Sequence, residues 1–170
     1  MEYTIKTYGN PVLKNGTEKV SEFDSKLNEI VNNMIDTMYR DNGIGLAAPQ
    51  VGISKKIVVV DPTFGEDENA LLCIINPEIT ETGDECELEE GCLSVPGVFE
   101  FITRPEKIKV TYQDVEGNEH QLEADGLLAR VIQHEIDHLE GILFIDRLST
   151  VKRNLLAKTL RSIEEEGSEV

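Results

Sequence analysis

The sequence predicts an α+β fold: antiparallel or mixed β-sheets wrapped around a central helix, with one helix before and one after. Three observations predict it. Strand-like apolar runs gather in the middle of the chain. Amphipathic stretches with helical spacing flank them on both sides. A third helical stretch, rich in apolar residues, carries the pattern His134-Glu135-Ile136-Asp137-His138. With 170 residues, one domain over 1–170 is expected, long enough to bury a core.

The first helix is read from Asp24 to Arg40, where Leu27, Ile30, Val31, Met34, Ile35 and Met38 recur at helical spacing. Asp24 is its N-cap, and Asn42-Gly43 ends it. Residues 43–52, Gly43-Ile44-Gly45-Leu46-Ala47-Ala48-Pro49-Gln50-Val51-Gly52, read as a glycine-rich loop. Ile57–Asp61 and Leu71–Asn76 read as strands. The segment Glu90-Gly91-Cys92-Leu93-Ser94-Val95-Pro96-Gly97 is too punctuated by Gly and Pro for a plain strand or helix. Lys107–Tyr112 and Glu119–Glu123 read as a hairpin closed by Glu116-Gly117-Asn118. Leu127–Glu140 is the central helix, with Gly141 at its C′ position. A last helix is expected over 151–166.

Composition narrows the function. The net charge is −17, from 33 acidic and 16 basic residues. Non-specific DNA or RNA binding needs Lys and Arg for phosphate contacts, and membrane surfaces attract basic segments, so neither class fits. The N-terminus has no apolar signal region, and the longest apolar runs, Ile57–Val60 and Leu71–Ile75, are too short for a bilayer. A cytoplasmic enzyme is expected. Three cysteines do not make a disulfide framework.

On a helix, His134 and His138 share a face, so both imidazoles can reach one metal ion. Glu135 is offset around the helix, where it can move protons for a metal-activated water. The third ligand is less direct. The extended three-histidine form of the motif has Phe144 at its last position. Glu164, Glu165 and Glu166 belong to an acidic tail, which continues to Glu169, and His120 borders a hairpin turn. Cys92 is the better candidate, because two His and one Cys leave a fourth position open, as catalytic sites do. Read alone, Cys92 is equally a small buried hydrophobe, as Cys73 and Cys86 are. A zinc endopeptidase and a binding protein merely stapled by metal both remain compatible with the helix motif.

Taken together, Gly43–Gln50, Glu90–Ser94 and Gln133–His138, with Asp125-Gly126-Leu127-Leu128-Ala129 before the last, resemble the signature motifs of peptide deformylases. The short loops resemble the bacterial type 1 class. The resemblance implies a metal-dependent hydrolase that removes the N-formyl group from the initiator methionine of nascent polypeptides, releasing formate. It implies Cys92, His134 and His138 as ligands of one divalent metal, Fe(II) in cells, with Zn, Ni or Co also suited to the donors. Glu135 would be general acid and base for a metal-activated water, and Gln50 with the Leu93 N–H would stabilise the oxyanion. Ile44, Gly45 and Gly91 would bind the peptide backbone, Leu127 and Val131 the methionine side chain, and Glu90 would orient the metal ligands. Arg130 stands at the pocket rim where an apolar residue is expected. Arg147, Lys152, Arg153, Lys158 and Arg161 form a basic stretch without acids, which the resemblance makes a ribosome-docking helix.

Overall fold

A computed structural model of the chain describes residues 1–167; Glu169 of the acidic tail lies outside the described residues. Helix α1 (Ser25–Arg40) begins where expected, with the Asp24 carboxylate accepting from the Leu27 N–H at 3.0 Å. Asn42 takes the left-handed conformation that ends it (φ 57°), and the Gly43 N–H returns to the Met38 carbonyl.

Seven strands follow: β1 (Gly45–Ala47), β2 (Ile57–Val60), β3 (Leu72–Thr82), β4 (Glu85–Cys92), β5 (Val95–Pro105), β6 (Lys107–Gln113) and β7 (Glu119–Asp125). Five pair antiparallel in the order β1-β2-β3-β6-β7, and β4-β5 form a separate antiparallel ribbon. Helix α2 (Gly126–Leu139) packs on β1, β2 and β7 and also meets β5. Two short helices, α3 (Thr150–Leu155) and α4 (Ala157–Gly167), close the described chain.

All four residues of β2 are buried, because the sheet is covered on both faces. Ile57 and Val59 join Leu27, Val31, Met34 and Met38 of α1 in one core. Val58 and Val60 point the other way, to Ala129, Val131 and Ile132 of α2. A third cluster joins Val95, Val98 and Ile102 of β5 to Phe144, Ile145, Leu160 and Ile163.

Four expectations are corrected. The stretch read as a glycine-rich loop contains β1 and a 3-10 turn, Ala48–Val51. The Glu90–Gly97 segment is the closed end of the β4–β5 ribbon, not irregular chain: Cys92 pairs with Val95, and only Leu93 and Ser94 turn. Its acidic face hid it, since Glu85, Glu87 and Glu89 are poor strand formers on their own. Strand β3 runs on past Asn76 to Thr82 through register shifts. The final helix is two helices, broken at Leu156.

Candidate functional site

Helix α2 presents His134 and His138 together, their ring centroids 5.2 Å apart. The tight end of the β4–β5 ribbon brings Cys92 to them. Its Sγ lies 3.3 Å from His138 Nε2, and one donor atom from each of Cys92, His134 and His138 falls within 4.8 Å of the others. Thiolate with two imidazoles is a donor set for a transition-metal dication, and three such donors leave room for a further ligand. His134 Nδ1 is 2.8 Å from Glu90 Oε1, which fixes the tautomer and leaves Nε2 for a metal. Phe144 stacks on the His134 ring at 5.9 Å, so the position of the extended motif's third histidine is a packing residue here. His120 is exposed and bonded to Asp114, away from this cluster.

Glu135 is buried beside the cluster, its Oε1 3.8 Å from His138 Nε2. Burial pushes its carboxyl up to about 7, the range that suits a group exchanging protons near neutral pH. Burial also holds His138 well below the usual imidazole range, with the charges of His134 and Arg104 acting in the same direction. His138 is therefore neutral, as a metal ligand must be.

Gln50 sits in the 3-10 turn after β1 and is buried. Its Oε1 accepts from the Ala47 N–H at 2.9 Å, which turns Nε2 toward Ser94 Oγ (3.2 Å) and Cys92 Sγ (3.6 Å). The amide thus presents a donor to the site. Ser94 Oγ donates in turn to the Lys6 carbonyl at 2.7 Å, fastening the turn that holds Leu93 to the N-terminal segment.

Beneath the histidines lies a buried ion network that the sequence did not reveal. Arg104 donates to both Glu90 oxygens, at 2.6 and 3.0 Å, and to Asp137 at 2.8 Å. Asp137 also accepts twice from Arg147, at 2.6 and 2.7 Å. Arg130 lines the cleft, but its guanidinium is turned to Glu90 and to the carbonyls of Ile102 and Cys86. Its charge is neutralised by the network, which answers why an arginine stands at an otherwise apolar wall. Burial alone would push the Glu90 carboxyl up; the hydrogen bonds from His134 and Arg104 outweigh it and hold the group at about 2. The residues that link this network, Arg104 and Asp137, carry no pattern in the sequence; each is one charged residue in a strand or helix.

The cluster opens into a cleft of about 500 Å³. Ile44, Gly45, Gln50, Glu90, Gly91, Leu93, Leu127, Val131 and Glu135 all line it, so the three separate sequence motifs converge on one space. Gly45 is required by that convergence: a Cβ there would lie 2.7 Å from Val131 Cγ1 and 2.9 Å from Glu135 Oε2.

An HExxH helix joined by a cysteine at the floor of an open cleft is the arrangement of a mononuclear metallohydrolase. Comparison with known proteins narrows the class. The sequence model of the polypeptide deformylase family matches residues 2–154. A peptide deformylase of Thermodesulfovibrio yellowstonii is 49% identical, over 93% of this chain and 96% of its own. The crystal structure of the Thermus thermophilus peptide deformylase superposes with a TM-score of 0.92 at 40% identity, covering 98% of this chain and 99% of its own. That of Synechococcus elongatus, solved with actinonin, gives 0.88 at 45% identity, covering 92% and 86%. The chain belongs to the polypeptide deformylase family, a family of metal-dependent hydrolases in protein N-terminal processing. Among the described residues no helix is long and apolar enough to cross a membrane.

Proposed function

We propose that this chain hydrolyses the N-formyl group from the N-formylmethionine that begins nascent polypeptides, releasing formate and a free amine, within one catalytic domain. The observation that carries the reading is the convergence of Cys92, His134 and His138 with Glu135 and the Gln50 amide on one cleft. Cys92, His134 and His138 would hold one divalent ion, Fe(II) in cells, with Zn, Ni and Co also matching the donors. Bound there, the ion would supply Lewis acidity at neutral pH.

The chain's own groups do the rest. Glu135 takes the proton of the attacking water and delivers it to the departing amine. The Gln50 Nε2 and the Leu93 N–H donate to the oxygen that gains charge as the formyl carbon becomes tetrahedral. Main-chain groups of Ile44, Gly45 and Gly91 hold the peptide extended, as an added strand. The methionine side chain packs on Val131 and Leu127, with the neutralised Arg130 behind. Glu90 holds His134 in its tautomer and keeps its own charge against Arg104.

Docking on the ribosome would fall to the C-terminal helices. Arg147 is bonded to Asp137 and Arg153 to Asp146, and Lys152 lies 4.0 Å from Glu100. Lys158 and Arg161 on α4 are exposed, and those two are the ones we assign to phosphate contacts.

Formate release from a formyl-Met peptide, by anaerobically prepared Fe(II) or Ni(II) enzyme, tests the function. Glu135→Ala, an acetyl-Met peptide and a chelator are the controls. Formate should appear only with intact Glu135, metal and the formyl substrate. Cleavage of an internal peptide bond with no formate would transfer the chain to the endopeptidases.

A further inference from the structure

The cleft continues past the methionine pocket to a lip formed by two phenylalanines. Phe64 and Phe99 both line it, yet they are 61% and 64% exposed. Aromatic rings of this size contribute most when covered, and exposed apolar surface at a cleft mouth marks a place where something binds. Phe99 belongs to β5 and opposes Gly91 of β4. Its ring occupies the space a Cβ on Gly91 would need, 2.6 Å away.

Phe64 comes from a different element and is held with effort. It is the tip of the loop after β2, at φ 56°, a left-handed conformation that bulky side chains disfavour. The neighbouring Gly65, at φ 87°, adopts positive φ without strain. What fixes the loop is Asp61, fully buried, whose carboxylate accepts four hydrogen bonds. They come from Thr63 N (2.9 Å), Thr63 Oγ1 (2.6 Å), Gly65 N (3.0 Å) and Tyr39 Oη (2.6 Å). The Asp61 N–H donates to the Ile44 carbonyl at 2.8 Å, tying the loop to the wall of the cleft. Packing does not account for Phe64: its ring is mostly in water, while its backbone is strained and pinned from below.

We infer that Phe64 and Phe99 form a subsite for an apolar side chain on the residue that follows the N-formylmethionine, and that Asp61 is the positioning residue for Phe64. The inference rests on the deformylase reading, because the same cleft holds both residues of the substrate. Glu89 also lines the cleft, so a basic side chain is the contrasting ligand.

The test measures kcat and KM of the metal-loaded enzyme on formyl-Met-Leu, formyl-Met-Ser and formyl-Met-Lys peptides. Wild type should favour leucine. Phe64→Gly relieves the backbone strain, so its thermal midpoint should hold, and the leucine-to-serine ratio of kcat/KM should fall about fivefold, the worth of one aromatic contact. The fall should sit in KM rather than kcat. Phe99→Ala should lower the same ratio, and Asp61→Asn, if the loop is released, should match Phe64→Gly. An unchanged ratio in Phe64→Gly, or a wild type that favours lysine over leucine, overturns the subsite. No formate from any of the three peptides overturns the deformylase reading itself, and the subsite with it.

Discussion

Replacing Glu90 by glutamine removes one negative charge from under three cations and keeps the shape. In the native chain the carboxylate takes two bonds from Arg104, one from Arg130 and one from His134, all at 3.0 Å or less. Glu90, Arg104 and Arg130 are all buried, so water cannot replace the lost charge. Asp137 still faces Arg104 at 2.8 Å, but Arg130 loses its carboxylate partner. Breaking a buried pair from one side costs about 3–5 kcal/mol. An independent route gives the same size. Holding the carboxyl at about 2 rather than 4.5, at about 1.4 kcal/mol per pH unit, stabilises the fold by about 3 kcal/mol. For a chain of this length about 3 kcal/mol lowers the thermal midpoint by roughly 6–12 °C. The sign in pH is fixed by the direction of the shift. A depressed carboxyl stabilises fully above its unfolded pKa and progressively less as pH falls toward its folded one. The gap between wild type and Glu90→Gln, followed by circular dichroism, should therefore be largest above about pH 5 and shrink toward about pH 2. Metal affinity by equilibrium dialysis should fall roughly 10–100-fold, since His134 loses the group that orients it. A midpoint within about 2 °C of wild type at neutral pH, or a gap that does not narrow with acid, would refute the reasoning.

Three further outcomes are expected. Gly45→Ala places a methyl against Val131 and Glu135, and should lower kcat/KM for formyl-Met peptides at least roughly tenfold while changing the thermal midpoint by only a few degrees, by the ordinary cost of overpacking of about 1–3 kcal/mol; full activity would show that the wall yields. Gln50→Ala removes a positioned donor and should cost about 10²–10³ in kcat with little change in KM; a loss confined to KM would make Gln50 a binding residue only. Cosedimentation with ribosomes should weaken as salt rises, and in a Lys158→Ala, Arg161→Ala double variant; salt-insensitive binding, or an unaffected variant, would rule out docking through α4.

The local parts of the site were legible because their physics is local. Four-residue spacing on a helix puts His134 and His138 on one face whatever surrounds them, and Asp24 and Gly141 terminate their helices through bonds to near neighbours. The glycine motif, the cysteine motif and the helix motif were readable as resemblance. What the sequence left open was the third ligand, since Cys92 read alone is also a small hydrophobe. Its place beside His138 depends on the pairing of β4 with β5 across a two-residue turn, in a ribbon whose alternating glutamates masked it as a strand. Arg104, Asp137 and Arg147 were invisible for the same reason: a buried charge is meaningful only when its counter-charge is known, and Arg104 and Asp137 lie 33 residues apart. Phe64 was hidden further still, because its strained backbone depends on a carboxylate, a hydroxyl from α1 and a loop meeting in space. The sequence by itself determined the elements whose free energy is set within a few residues, and with them the two histidines and the glutamate between. Tertiary structure decided which distant charges and thiols could leave water together, because desolvation is favourable only once every partner is in place.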